Sequence, residues 1–159
     1  MSTAVPRRVK RQPEAKEESP EIRVSVVIYD FDCAPEEITR LLGIQPTRSW
    51  RLGDPVSYAD RLPPGASAPK TKQNTWILDG PRSNSPSLAE HAERLIEIVM
   101  PAASRFKKLP QGTGIALNCA VYDYERRAIL EFSNETLRAL ALIGADVSMS
   151  YYDMTDWED

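Results

Sequence analysis

Ile22, Val24, Val26 and Ile28 alternate with Arg23, Ser25, Val27 and Tyr29, a two-residue period that predicts a strand with one apolar face. Pro35-Glu36-Glu37 places proline and acids where a first helical turn accepts them, and Ile38, Leu41 and Leu42 supply a buried stripe. Gly43 stops that helix where a left-handed residue is needed. A short strand is predicted over 75–78, closed by Asp79-Gly80-Pro81. Ser87-Leu88-Ala89-Glu90 has the form of a capping box, and the helix it opens carries Leu88, Ala92, Leu95, Val99, Ala103 and Phe106 on one stripe. Pro101 lies inside that pattern and predicts a kink or split near Met100. Ile115, Leu117, Cys119 and Val121 again alternate as a strand. A polar turn over 124–127 leads to a further predicted strand over 128–132. Ser133 or Asn134 caps a helix bearing Leu137, Leu140 and Ile143 and ended by Gly144; Val147, Met149 and Tyr151 mark the last strand.

The predicted order is β-α-loop-β-α-β-β-α-β, an α+β two-layer sandwich with a mainly antiparallel sheet and helices on one face. Its last six elements match the ferredoxin-like βαββαβ arrangement, preceded by an extra βα unit. Phe31 to Gly43 and Phe132 to Gly144 have equal spacing, which reads as convergence on one βα unit rather than a duplication. From Ile44 to Asn74 most of the chain has no periodicity, and Gly53-Asp54-Pro55 and Pro63-Pro64-Gly65 break it further. A stretch of that length in a compact domain is either functional or mobile.

Length and charge narrow the class. The 159 residues suit one domain with a real core. We expect a disordered tail over 1–20, a single domain over 21–153 and an acidic tail over 154–159. No run approaches the roughly 20 apolar residues of a membrane span. Two cysteines and no export signal fit a reducing cytoplasm. Residues 1–20 carry five basic side chains against three acidic ones; with a net charge of −3 overall, the remainder carries −5. An acidic body argues against a nucleic-acid partner, because such binding depends on neutralising phosphates.

Asp32 and Pro35-Glu36-Glu37-Ile38-Thr39, then Leu42-Gly43-Ile44 with Pro46-Thr47, then Trp50, Gly53-Asp54 and Trp76, form a block that resembles the small bacterial proteins of the domain of unknown function 4279 family. The segment from Leu137 to Tyr152 is similar to that family's C-terminal end. The resemblance spans roughly 22–152 and implies a bacterial cytosolic setting. It brings no catalytic or ligand residues with it.

The chemistry centres on the segment from Gly43 to Asp54. Arg48 and Arg51 offer forked donors for carboxylate or phosphate beside the aromatic faces of Trp50, Tyr58 and Trp76. Against this, Trp50 reads as a plug holding the loop onto the core, with Gly53-Asp54 turning the chain. Asp30, Asp32, Asp79, Asp123, Asp153 and Asp156 stand at strand ends, but their spacing matches no calcium loop and no metal-binding helix. His91 reads as a surface or boundary residue. Cys33 precedes a helix whose dipole favours thiolate but reads as a small turn residue, and Cys119 reads as core. We assign no catalytic residue, metal or cofactor. The expectation is a non-enzymatic binding module that engages a protein or small ligand through this loop and the Pro-rich 55–70 extension. Neutralisation of a basic toxin is one such role, by analogy of net charge alone. The alternative is a small-molecule or metal-dependent enzyme using strand-end carboxylates with Arg48 or Arg51.

Overall fold

The computed structural model describes residues 19–156. The strands are β1 (Glu21–Tyr29), β2 (Arg48–Trp50), β3 (Thr75–Asp79), β4 (Gly114–Asp123) and β5 (Asp146–Asp153). The helices are α1 (Pro35–Leu42), α2 (Leu88–Val99), α3 (Ala103–Phe106) and α4 (Asn134–Ile143). The strands form one sheet in the order β2-β3-β1-β4-β5. Neighbours are antiparallel except β4 and β5, which run parallel.

The α+β reading holds, with its mainly antiparallel sheet, but the ferredoxin-like core lies elsewhere in the chain. β1-α1-β2-β3-α2-β4 is the βαββαβ unit, and its four strands stand in the order β4-β1-β3-β2. The additional unit is therefore α4-β5, appended after the core, rather than a βα pair before it. Two local differences moved the frame. Arg48–Trp50 is a strand, too short at three residues to show a period. The segment 128–132 is not one, although it is rich in apolar residues, because both edges of β4 are already taken by β1 and β5. Among the described residues its only pairing is a bridge from Ile129 to Ser87, with Ile129 N–H donating to Pro86 O at 2.8 Å.

The helices cover one face of the sheet. Ile22, Val24, Val26 and Ile28 of β1 join Trp76, Leu78, Leu117, Cys119 and Val121 in a core shared with Ile38, Leu42, Leu88, Leu95, Val99 and Phe106. Pro101 splits the long helix where expected: α2 ends at Val99, a 3-10 turn spans Met100–Ala102, and α3 continues. Ser87 and Ser133 cap α2 and α4, accepting from the Glu90 and Thr136 amides. Gly43 and Gly144 close α1 and α4 at φ 69° and 72°, the left-handed stop.

The chain between β2 and β3 is organised from within. Gly53 N–H donates to Thr71 O at 2.9 Å and Thr71 N–H returns to Asp54 O at 2.8 Å. Asp54 Oδ2 accepts from Arg51 N–H at 2.7 Å, so the Gly53-Asp54 pair does turn the chain. Asn74 ties the base down, accepting from Leu52 N–H and donating to Phe31 O at 2.7 Å. Trp50 pairs with Thr75 on the face away from the helices, is half-buried, and lies outside the core. It is not the plug expected of it; backbone pairing and Asn74 do that work.

The expected tails fall largely outside the described residues, which begin at Ser19 and end at Asp156. Among the described residues no helix is long and apolar enough to cross a membrane.

Candidate functional site

Strand parity sends Arg23, Ser25, Val27 and Tyr29 of β1 to the sheet face opposite the helices. Part of that face is closed. The Tyr29 ring lies against Gly114, where a Cβ would collide with it, and Val27, Ile77 and Ala116 beside them are nearly buried. The rest is an open trough of about 470 Å³. Register explains its floor: Asp79, Ser25, Asn118 and Ser148 stand side by side across four strands, with Arg23, Ala120 and Ser150 in the next row. Small and polar side chains there leave depth that larger ones would fill.

Three arginines rim this floor. Arg48 reaches it from β2 and bonds Asp79 Oδ1 at 3.0 Å, both side chains remaining about half exposed. Arg82 follows β3 and is exposed. Arg23 pairs with Glu21 at 2.6 Å and sits 5.5 Å above the centre of the Tyr122 ring. The hydrogen bond to Glu21 raises the Arg23 pKa, so this guanidinium stays charged. Tyr122 stacks on Tyr152 with centroids 4.8 Å apart and planes 9° from parallel. Three guanidinium groups, Arg23, Arg48 and Arg82, thus meet two carboxylates, Asp79 and the Glu21 paired with Arg23, and Arg82 leaves a small positive excess on an acidic body.

A family described as "Domain of unknown function (DUF4279)" has a model that matches residues 20–154. The chain belongs to this family. The match covers the whole sheet, both sides of the trough and the loop between β2 and β3. Searches of curated proteins and of solved structures gave no match.

Within this DUF4279 domain the residues expected to form one binding surface are dispersed. Arg48 and Trp50 share a second hollow with Asp54, Val56 and Ala59, on the flank of β2. Arg51 turns to α1 and bonds Glu36 Oε2 at 3.0 Å. Glu36 is held below its ordinary pKa by its own backbone amide at the helix start and then by Arg51. Tyr58 stands exposed on the extension. Trp76 is fully buried, and its indole N–H donates to Thr39 Oγ1 at 3.0 Å, so its ring belongs to the core and not to a surface.

Two of the strand-end acids, Asp123 and Asp153, serve local structure. Asp123 accepts from the Arg127 and Ala128 amides at 3.0 Å each and from the Tyr151 hydroxyl at 3.1 Å. Burial pushes its pKa up, but these donors together outweigh burial and hold it below the ordinary value. Asp153 is also lowered, by the Thr155 hydroxyl and amide first and Arg126 after them. Among the described residues no group of three or more His, Cys, Asp or Glu side chains is placed to hold a metal.

His91 corrects its boundary placement: it is buried, and Nε2 lies 2.9 Å from Ser85 O, which requires the proton on Nε2. The Cys33 thiol is raised rather than lowered, by burial and then by Glu37, so the helix dipole does not prevail there. Burial raises Cys119 to about 11, as a core thiol should be. Sequence reasoning missed Ser25, Asn118, Ser148, Ser150 and Arg82. Each strand's polar phase was visible, but only the register aligns those phases into one floor.

Proposed function

We propose that this domain is a non-enzymatic binding module that takes an anionic group, carboxylate or phosphate, in the trough on the open face of its sheet. One observation carries the reading: Arg23, Arg48 and Arg82 surround a floor of small polar side chains on a body that is otherwise acidic. Forked guanidinium donors match planar oxyanions, and serine and asparagine can complete their hydrogen bonding. The Arg48–Asp79 pair does not block this role. A half-exposed ion pair contributes only about 0–1 kcal/mol, so an entering anion can exchange with Asp79 at little cost. Arg48 also joins the trough to the loop hollow at Trp50, which lets a larger ligand extend along β2. The cysteine usage and family resemblance support a bacterial cytosolic setting. A basic partner such as a toxin would draw on the acidic body outside the trough, and nothing in the trough favours it. No observation favours the enzymatic alternative.

Inorganic phosphate and succinate, titrated separately into the isotopically labelled protein, test the proposal. We expect amide shifts at Ser25, Arg48, Asn118 and Ser148, and at least tenfold weaker binding in an Arg48→Ala/Arg82→Ala variant. Absence of shifts in the trough for both probes at millimolar concentration would overturn it.

A further inference from the structure

We propose that the free edge of β5 pairs antiparallel with the β5 edge of a second copy of this chain, joining two domains through one continuous sheet. The dimer does not rest on the anion reading of the trough, although it extends that site.

Among the described residues β5 pairs with β4 alone, and all eight of its residues are exposed. Its outward amides and carbonyls therefore present a ladder without a strand partner. Its helix side is uncovered as well. Val147, Met149 and Tyr151 are in register with the buried Leu117, Cys119 and Val121, yet remain 41–44% exposed, while α4 packs on α2 and α3. The opposite edge of the sheet is treated differently, since β2 has only three residues and follows Pro46. β5 has no proline, no lysine and no bulge to discourage pairing.

Symmetry selects the occupant. From Val147 to Tyr151 the strand reads apolar, serine, methionine, serine, apolar in either direction. A two-fold axis through Met149, perpendicular to the sheet, makes the strands antiparallel and keeps both sets of helices on one side. Directly opposed residues share a face, so like meets like. Met149 faces Met149, Val147 faces the copy's Tyr151, and Ser148 faces the copy's Ser150. Asp146 falls opposite Tyr152 and Asp153 opposite Ala145, so no acid opposes an acid. An axis between two residues would oppose helix-side and open-side positions, which the pleat forbids. An axis on any other residue of β5 leaves at least one of the three apolar side chains opposite an acid or beyond the end of the strand. Alternation alone would accept a foreign strand; the symmetry about Met149 fits a second copy. The same register extends the trough, whose floor ends at the free edge on Ser148. The row Asp79, Ser25, Asn118, Ser148 runs on into the copy's Ser150, Ala120 and Arg23, so each copy brings an arginine to the end of the other's floor. Eight residues a side are fewer than the roughly 20–30 of a standard interface, so the dimer is weak and dilution separates it.

Sedimentation of the full chain, over a dilution series reaching millimolar concentration, should show monomer passing to dimer. The β5 amides should gain protection from hydrogen exchange as concentration rises. Ser148→Lys/Ser150→Lys sets lysine against lysine in this register and should weaken association at least tenfold. Ser148→Lys/Ser150→Glu sets lysine against glutamate at both pairs and should restore it. Both positions are exposed, and an unchanged unfolding midpoint in dilute solution rules out loss of fold as the cause. A wild type that stays monomeric throughout, protection elsewhere than β5, a lysine–lysine variant that associates like the wild type, or a lysine–glutamate variant as weak as the lysine–lysine one would each overturn the proposal. Neither phosphate nor succinate is added, so failure of the dimer and failure of the anion reading are told apart.

Discussion

Asp123 and Tyr151 are joined side chain to side chain at 3.1 Å, one residue at the end of the ferredoxin-like core and the other on the strand added to it. The same carboxylate receives the Arg127 and Ala128 amides, so a single buried acid anchors both the turn after β4 and the far end of β5. In Asp123→Asn one acceptor oxygen becomes an NH₂ that faces a donor. We expect a loss of about 2 kcal/mol at neutral pH, read from urea unfolding.

The same acid sets part of the pH dependence. The folded-state pKa values of Asp123, Asp153 and Glu36 all lie below their ordinary values. Their contribution is thus complete above the unfolded carboxylate range, near pH 4, and is lost as pH falls through the lower folded values. Unfolding midpoints followed from pH 6 to pH 2 should drop steeply below pH 4, and Asp123→Asn should flatten that drop.

The Trp76 indole spends its only donor on Thr39, from the middle of the core to α1. Thr39→Val keeps the shape and strands the N–H, which costs about 1–2 kcal/mol. Thr39→Ser should restore most of it. Trp76→Ala removes the largest fully buried side chain and should cost about 3–5 kcal/mol. Chemical denaturation of the three variants checks the order.

Gly43 and Gly144 make a matched pair of left-handed helix stops in different surroundings. A Cβ at Gly144 meets open space, whereas one at Gly43 stands 2.9 Å from Arg105 Nη1. That nitrogen donates to Leu42 O at 2.8 Å. Alanine at either position should cost about 1–2 kcal/mol from backbone conformation alone. Gly43→Ala should cost more, because Arg105 must also move, and thermal unfolding should separate the two.

Removing Arg48 should hardly change stability. Its pair with Asp79 is about half exposed, and a double-mutant cycle over the two should give less than about 1 kcal/mol. Loss of anion binding in Arg48→Ala would then report on binding and not on folding.

The elements legible from sequence were those whose pattern is local and long enough to repeat. β1 and β4 alternate over nine and ten residues, and the split after Val99 follows from one proline. What failed needed distant information. The segment 128–132 is rich in apolar residues and has no vacant edge beside β4, and β2 has an edge beside β3 and too few residues for a pattern. His91 looked like a boundary residue because a histidine on a stripe edge does not reveal the Ser85 carbonyl that satisfies it. The arginines of the 43–54 segment were visible, whereas the row from Asp79 to Ser148 exists only once four strands are in register.

The appended α4-β5 unit also orders events during synthesis. β1, β2, β3 and β4 contain every pairing of the ferredoxin-like sheet before β5 is made, and among the described residues β5 adds strand pairing to β4 alone. A chain leaving the ribosome from its N-terminus can therefore close the four-stranded sheet while the edge of β4 is still bare. During that interval β4, apolar at Leu117, Cys119 and Val121 on its inner face, is the exposed margin of the nascent protein. The arrival of β5 moves that margin one strand outward, onto residues with an acid at each end.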